Sequence, residues 1–246
     1  MKAFGLDGCK GGWFYVCLEG QSIECGVVTS VADIVARAGK EDAICVDIPI
    51  GLRDEGSNPR GCDVAARQVL GRGRASSVFN APLRPALYTP DYPTANALNR
   101  SLSGKGLSKQ SYNIGNKIRE VDELMLASPK ARSLVREAHP EVCFWALSGG
   151  RPVEASKKTD NGFHTRMQLL QDHLELAPQC VEESLKAHPR SIVARDDIVD
   201  AMVIALTAHM SSNISTLPDN PEVDSNGLLM EIVYYSPALH NARDVY

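Results

Sequence analysis

The sequence predicts an α/β protein. Its core is a mixed five-stranded sheet with elements in the order β-β-β-α-β-α-β-α and a long insertion after the fourth strand. Three observations predict it. Three strand-like runs follow one another at the N-terminus with only short links, as in an antiparallel meander. A short continuous apolar run then follows a helix, as expected of a strand buried on both faces and parallel to a neighbour. Near the far end stands a helix that opens on acidic residues and is otherwise apolar almost all round, the mark of a buried core helix.

The elements follow in order. Residues 2–8 form a first strand ending at a glycine-rich turn, and 12–19, aromatic and β-branched, form a second. After the tight Gly20-Gln21 connection, 21–28 form a third. Thr29 or Ser30 caps a helix over 31–38 that stops at Gly39. The apolar run 43–48 is the fourth strand. Residues 51–135 are rich in Gly, Pro, Arg and Ser, with helices at 62–70 and about 110–127. Without dense apolar periodicity, this stretch reads as an insertion (about 52–135) in a single domain spanning 1–246. A strand over 138–147 follows, then helices at 163–174 and 179–187, punctuated by Pro178 and Pro189. The apolar helix covers 196–210, residues 213–227 read as loop, and Leu228–Tyr235 as a last strand.

A chain of 246 residues buries a core without staples. No run of eighteen apolar residues occurs, so no membrane span is expected. The first residues read as a strand rather than a signal peptide, which points to the cytoplasm. The seven cysteines are odd in number and form no C-x-x-C, so they read as reduced thiols, with no zinc spacing. The net charge is −4, but Arg53–Arg119 carries eleven basic and four acidic residues, leaving −11 on the rest. That basic block is either an anion-facing surface or a set of solvated and paired charges.

Four carboxylates converge on this framework. Asp7 closes the first strand and Asp47 the fourth, and sites in open α/β sheets gather at strand ends. Asp197 and Asp200, three apart, share a helix face, while Asp196 is better placed to cap. Unpaired acids so close raise one another's pKa, which a hard cation such as Mg²⁺ or Mn²⁺ relieves. Each acid also has a plain local reading as turn or cap chemistry. Local readings explain each acid singly and explain less well why three segments converge.

Further motifs recur in order along the chain. They are Gly5-Leu6-Asp7-Gly8-Cys9-Lys10-Gly11-Gly12-Trp13, Asp47-Ile48-Pro49-Ile50-Gly51-Leu52, Arg60-Gly61-Cys62-Asp63, Ser76-Ser77-Val78-Phe79, Glu120-Val121-Asp122, His139-Pro140-Glu141, Ser156-Lys157-Lys158-Thr159 and Asp196-Asp197 with Asp200-Ala201. Together they resemble, over nearly the whole chain, the family catalogued as domain of unknown function 429, described as nucleases of ribonuclease H-like fold. The resemblance implies that fold, a two-metal carboxylate site and phosphodiester hydrolysis of DNA or RNA. The wider superfamily includes Holliday-junction resolvases, whose acids lie on the first strand, the fourth strand and the last helix. Asp7, Asp47, Asp197 and Asp200 match those places, but resolvases usually carry Glu on the fourth strand, so Asp47 puts the metal geometry in question.

The expected site follows. Asp7, Asp47, Asp197 and Asp200 hold Mg²⁺ or Mn²⁺, and Glu141 joins them as a further ligand or a supporting acid. His139 is a proton-shuttle candidate. Substrate contacts are expected from Lys10, Arg67, Arg84, Lys109, Lys117 and Lys158, with Lys157 beside the last, the insertion forming a pocket or lid. The leading function is a metal-dependent nuclease with nucleic acid as partner. The alternatives are a hydrolase or binding protein for a small phosphorylated metabolite, or an inactive ribonuclease H-like protein. An ATP-binding fold of the actin and sugar-kinase kind needs two copies of the core, for which the chain has no room. A homodimer is left open.

Overall fold

The N-terminal meander consists of β1 (Ala3–Cys9), β2 (Gly12–Glu19) and β3 (Ser22–Val28), each antiparallel to the one before. Helix α1 (Val31–Arg37) starts at Ser30, whose hydroxyl accepts from the Ala32 amide while Asp33 reaches back to the Ser30 amide. Strand β4 (Ala43–Val46) returns parallel to β1. The insertion then folds as α2 (Gly61–Arg74), α3 (Arg84–Leu87), α4 (Tyr92–Ser103), α5 (Lys109–Asn113), α6 (Gly115–Ala127) and α7 (Pro129–Leu134). Strand β5 (Val135–Glu137) follows, then α8 (Pro140–Leu147), α9 (Asp160–Gln171), α10 (Ala177–Ala187), α11 (Arg195–His209), β6 (Ile214–Val223) and β7 (Leu229–Tyr235). These elements come from a computed structural model that describes residues 1–237. Residues 238–246, with the far boundary of the expected domain, lie outside the described residues.

The main sheet is five-stranded and mixed, in the order β3-β2-β1-β4-β5, with β2 alone running against the others. The strand period of two sorts its side chains onto two layers. Phe4, Leu6, Trp13, Ile44 and Val46 pack with α1, α6 and α7. Ala3, Phe14, Val16 and Cys45 pack with α8 and the buried α11. Gly5 decides how closely α11 lies on β1. A Cβ there would stand 2.1 Å from the Ala205 amide nitrogen and 2.3 Å from the Ala201 carbonyl oxygen. Helix backbone therefore rests directly on strand backbone.

Several expectations need correction. The strand expected at 138–147 is three residues, Val135–Glu137, followed by helix α8. Pro140 stands in the helix's first turn, where its fixed φ suits and its missing N–H costs nothing. The apolar run after it is mostly buried, and periodicity alone does not separate a buried helix from a buried strand. The loop expected at 213–227 contains β6. Pro218 and Pro221 masked it, but it pairs only with β7, and its register shifts between Leu217 and Glu222, where both prolines lie. The last strand accordingly sits in a separate two-stranded sheet. The insertion holds six helices among the described residues rather than two, and the helix expected at 110–127 breaks between Asn113 and Gly115.

Candidate functional site

Parallel pairing of β1 with β4 aligns Leu6 with Val46, so Asp7 and Asp47 occupy the next rung, and the Asp47 amide donates to the Leu6 carbonyl at 2.9 Å. The close seating of α11 on Gly5 brings Asp200, one residue before Ala201, to the same place. Asp7 and Asp200 are buried. Burial pushes the Asp7 carboxyl well above the usual range, and Asp47 and Asp200 push it further. Burial raises Asp47 to about 7 against the pull of Lys157, and Asp200 to about 6 against the same lysine. Three segments thus press their carboxylates into one electrostatic unit.

Lys157 enters this cluster. Its ammonium donates to Asp200 Oδ2 and stands 3.8 Å from Asp196 Oδ2. Asp200, Asp7 and Asp47 together hold the Lys157 ammonium charged, against its burial. Asp200 Oδ1 is buried without a hydrogen-bond partner. Loop and helix cooperate to place the lysine. Gly162 has no Cβ, which would stand 2.0 Å from the Ser156 carbonyl oxygen, so the loop folds tightly onto the start of α9. The buried Arg166 then ties that loop through the Ala155 carbonyl at 2.9 Å.

Asp197 contributes differently from Asp200. Its Oδ2 accepts from the Ala194 amide at 2.8 Å, so it caps α11, the role expected of Asp196. Burial still raises its carboxyl, and its charge is felt at Asp7. Glu141 is clasped by Arg166 at 2.8 and 2.9 Å and by Arg74, yet its charge raises Asp47 and Asp200. It therefore shapes the field of the cluster while its oxygens are occupied. His139 senses the charges of Glu141 and Asp200. Burial lowers its imidazole, Nε2 lies 3.4 Å from the Ser77 carbonyl and Nδ1 has no partner.

The loop after Asp47 is held by buried charge. Arg60 bonds Glu137 twice at 2.8 Å, Asp63 at 2.5 Å and the Ile50 carbonyl at 3.1 Å, while the Ile50 amide donates to Glu137 at 2.7 Å. Gly51, at φ 72°, lets this loop approach the Leu229 carbonyl of β7, which a Cβ would meet at 3.0 Å.

The expected substrate cations disperse. Lys117 lies over the Trp13 ring at 4.4 Å, bonds the Gly12 carbonyl and senses Asp7 and Asp197, so it flanks the cluster. Lys10 is exposed on the adjoining β1–β2 turn. Arg84 is instead buried between Asp122 at 3.1 Å and Asp224, which fixes it as an internal clamp. Arg67 holds the Val78 carbonyl and Asn80 beside a cavity of about 530 Å³ in the insertion. Lys109 is exposed at the start of α5. Lys158 is exposed and, with Lys157, Arg190 and Arg195, lines a cleft that also holds Asp160 and Asp196. Arg166 and Arg74, which brace Glu141, went unread. An arginine inside a polar helix pattern gives no sign that it is buried.

Asp7, Asp47 and Asp200 offer the all-oxygen set that suits a hard cation. Among the described residues, no group of three or more His, Cys, Asp or Glu side chains stands in a metal-holding arrangement. All seven cysteines are free, and no helix is long and apolar enough to cross a membrane. A family model described as "Protein of unknown function (DUF429)" matches residues 5–223. No curated protein and no solved structure matches the chain.

Proposed function

Taking as premise that the chain belongs to the DUF429 family, we propose that it is a divalent-metal-dependent nuclease of ribonuclease H-like fold, using Mg²⁺ or Mn²⁺ to hydrolyse phosphodiesters. The observation that carries this reading is the convergence of Asp7, Asp47 and Asp200 from β1, the end of β4 and α11, with Asp200 Oδ1 buried and unpartnered. The sheet order, with β2 alone antiparallel, supports the fold assignment.

Asp7, Asp47 and Asp200 would hold the metal. The donor chemistry suits such an ion, since each oxygen is hard and, among the described residues, Lys157 is the one cation that lowers the Asp47 and Asp200 carboxyls. When bound, a divalent ion activates water and stabilises the leaving oxygen. This chain's own residues do the rest. Lys157 neutralises Asp200 through Oδ2 and leaves Oδ1 as the oxygen that would face a cation. Asp197 fixes the first turn of α11, and with it the position of Asp200. Arg166 and Arg74 hold the Glu141 carboxylate in place through three hydrogen bonds.

The test is a cleavage panel with Mn²⁺ and Mg²⁺ on single-stranded, duplex, branched and RNA–DNA hybrid substrates. The wild type should cut at least one substrate. Asp7→Asn and Asp200→Asn should fall to background while melting as cooperatively as the wild type. Equal turnover by variants and wild type would refute the carboxylate site.

A second reading, an enzyme or binding protein for a small phosphorylated metabolite, is favoured by the insertion cavity. Its lining includes Ser57, Asn58, Arg67, Asn80 and Gln110, polar groups suited to one compact ligand.

A further inference from the structure

Two cavities adjoin beside the carboxylates and share two residues. The first, of about 360 Å³, is lined by Lys157, Lys158, Arg190 and Arg195 against the acids Asp160 and Asp196. The second, of about 430 Å³, is largely apolar, with Phe163, Met167, Val181 and Leu185 on its walls, and reaches Arg190 and Arg195. Lys157 already serves Asp200 and Asp196, and Arg195 pairs with Asp160 at 3.1 Å. Lys158 and Arg190 are exposed and make no ion pair among the described residues. The cationic half therefore keeps two positive charges unspent. Between the halves, the Arg195 guanidinium lies on the Phe163 ring at 4.2 Å, a flat stacked surface.

We propose that these joined cavities form a subsite for an unpaired nucleotide of a single strand, with its phosphate on Lys158 and Arg190 and its base against the Arg195–Phe163 stack. The deduction rests on the nuclease reading for the direction of the strand, which runs from the carboxylates past Lys157. Charge complementarity selects a phosphate for the first half. A guanidinium–aromatic stack beside an apolar wall suits a base face, which stacks in a sequence-tolerant way. A paired base buries both faces in its own helix and cannot enter.

The test measures binding by the full chain in chelator, so that cleavage plays no part. The probes are a labelled oligothymidylate, an abasic oligomer of equal length, and a duplex. The oligothymidylate should bind most tightly. Arg190→Glu should weaken both single strands about tenfold and reduce the slope of log affinity against log salt by about 0.7 or more. Phe163→Ala should weaken the oligothymidylate about tenfold and leave the abasic strand unchanged, with Phe163→Tyr restoring binding. Should Phe163→Ala melt early, the exposed His164 on the same wall gives the same reading as His164→Ala.

Equal affinity for the two single strands, or wild-type affinity in Arg190→Glu, would overturn the proposal. So would displacement by thymidine monophosphate as effective as by the strand, which would make the occupant a monomer. The two readings fail separately. Metal-dependent cleavage that Asp7→Asn abolishes and Arg190→Glu leaves intact removes this subsite and keeps the nuclease. The expected binding pattern without cleavage keeps the subsite and removes the nuclease.

Discussion

Asp47 and Asp200 sit near 7 and 6 because burial penalises their charge and their neighbours are acids. A metal must displace those protons to bind. Mn²⁺ affinity should therefore climb through the window from pH 5.5 to 7.5, by about tenfold per proton displaced per pH unit. Calorimetry in two buffers of different ionisation heat counts the protons released. A flat affinity over that window would remove these residues as ligands. The same shifts set stability without metal. Folded-state values above the unfolded ones mean the fold binds more protons than the unfolded chain at intermediate pH. The contribution is complete below the unfolded carboxylate range and is lost as pH rises through 6 and 7. In chelator, the melting temperature should fall between pH 5 and 8, and Asp200→Asn should flatten that fall. Lys157 keeps the loss from being larger, since its ammonium lies among the same carboxylates.

At the level of elements, the decisive contact is α11 on β1. An alanine at Gly5 would drive its methyl into the Ala201–Ala205 backbone, which has no flexible end to swing away. Gly5→Ala should cost about 1–3 kcal/mol as overpacking and lower the melting temperature by several degrees. It should also weaken Mn²⁺ binding, because Asp200 would shift with the helix. Gly8→Ala is the control, since its nearest neighbour is the side chain of Lys117, at 3.0 Å. A Gly5→Ala protein that melts and binds like the wild type would show that α11 is not seated by this contact. The sequence exposes part of this arrangement. Asp7, Asp47 and Asp200 were legible because each stands at a strand end or helix start with apolar neighbours of clear period. Lys157 and Lys158 were not separable, since their loop has no period and only the Gly162 packing turns one of them inward. The capping roles of Asp196 and Asp197 were exchanged because the choice depends on which carboxylate reaches the Ala194 amide. Strand β6 was hidden because its prolines sit where its register breaks.

Across the whole molecule, the insertion is bound to the rest by arginine clamps as well as by the apolar packing of α2, α6 and α7. Arg60 joins the start of α2 to β5 through Glu137. Arg74 joins the end of α2 to α8 through Glu141. Arg84 joins α3 to Asp122 of α6, to the Leu52 carbonyl and to Asp224 beside β7. Arg60, Arg74 and Arg84 are thus spent on internal pairs, while Arg72, Arg100, Lys105 and Lys109 stay exposed on the insertion. Arg84 bonds neither a member of the carboxylate cluster nor Glu141, and so separates architecture from chemistry. Arg84→Ala would strand Asp122 and Asp224 as buried, uncompensated charges, and should cost about 3–5 kcal/mol. Arg84→Lys should recover only part of that, since one ammonium cannot span both carboxylates in the plane of a guanidinium. If the metal site is independent of this clamp, the surviving folded Arg84→Lys protein should bind Mn²⁺ with wild-type affinity while melting at lower temperature. Loss of Mn²⁺ binding in the folded variant would instead show that the insertion holds the loop after Asp47 in place, through Leu52, and that the site is built by the whole chain.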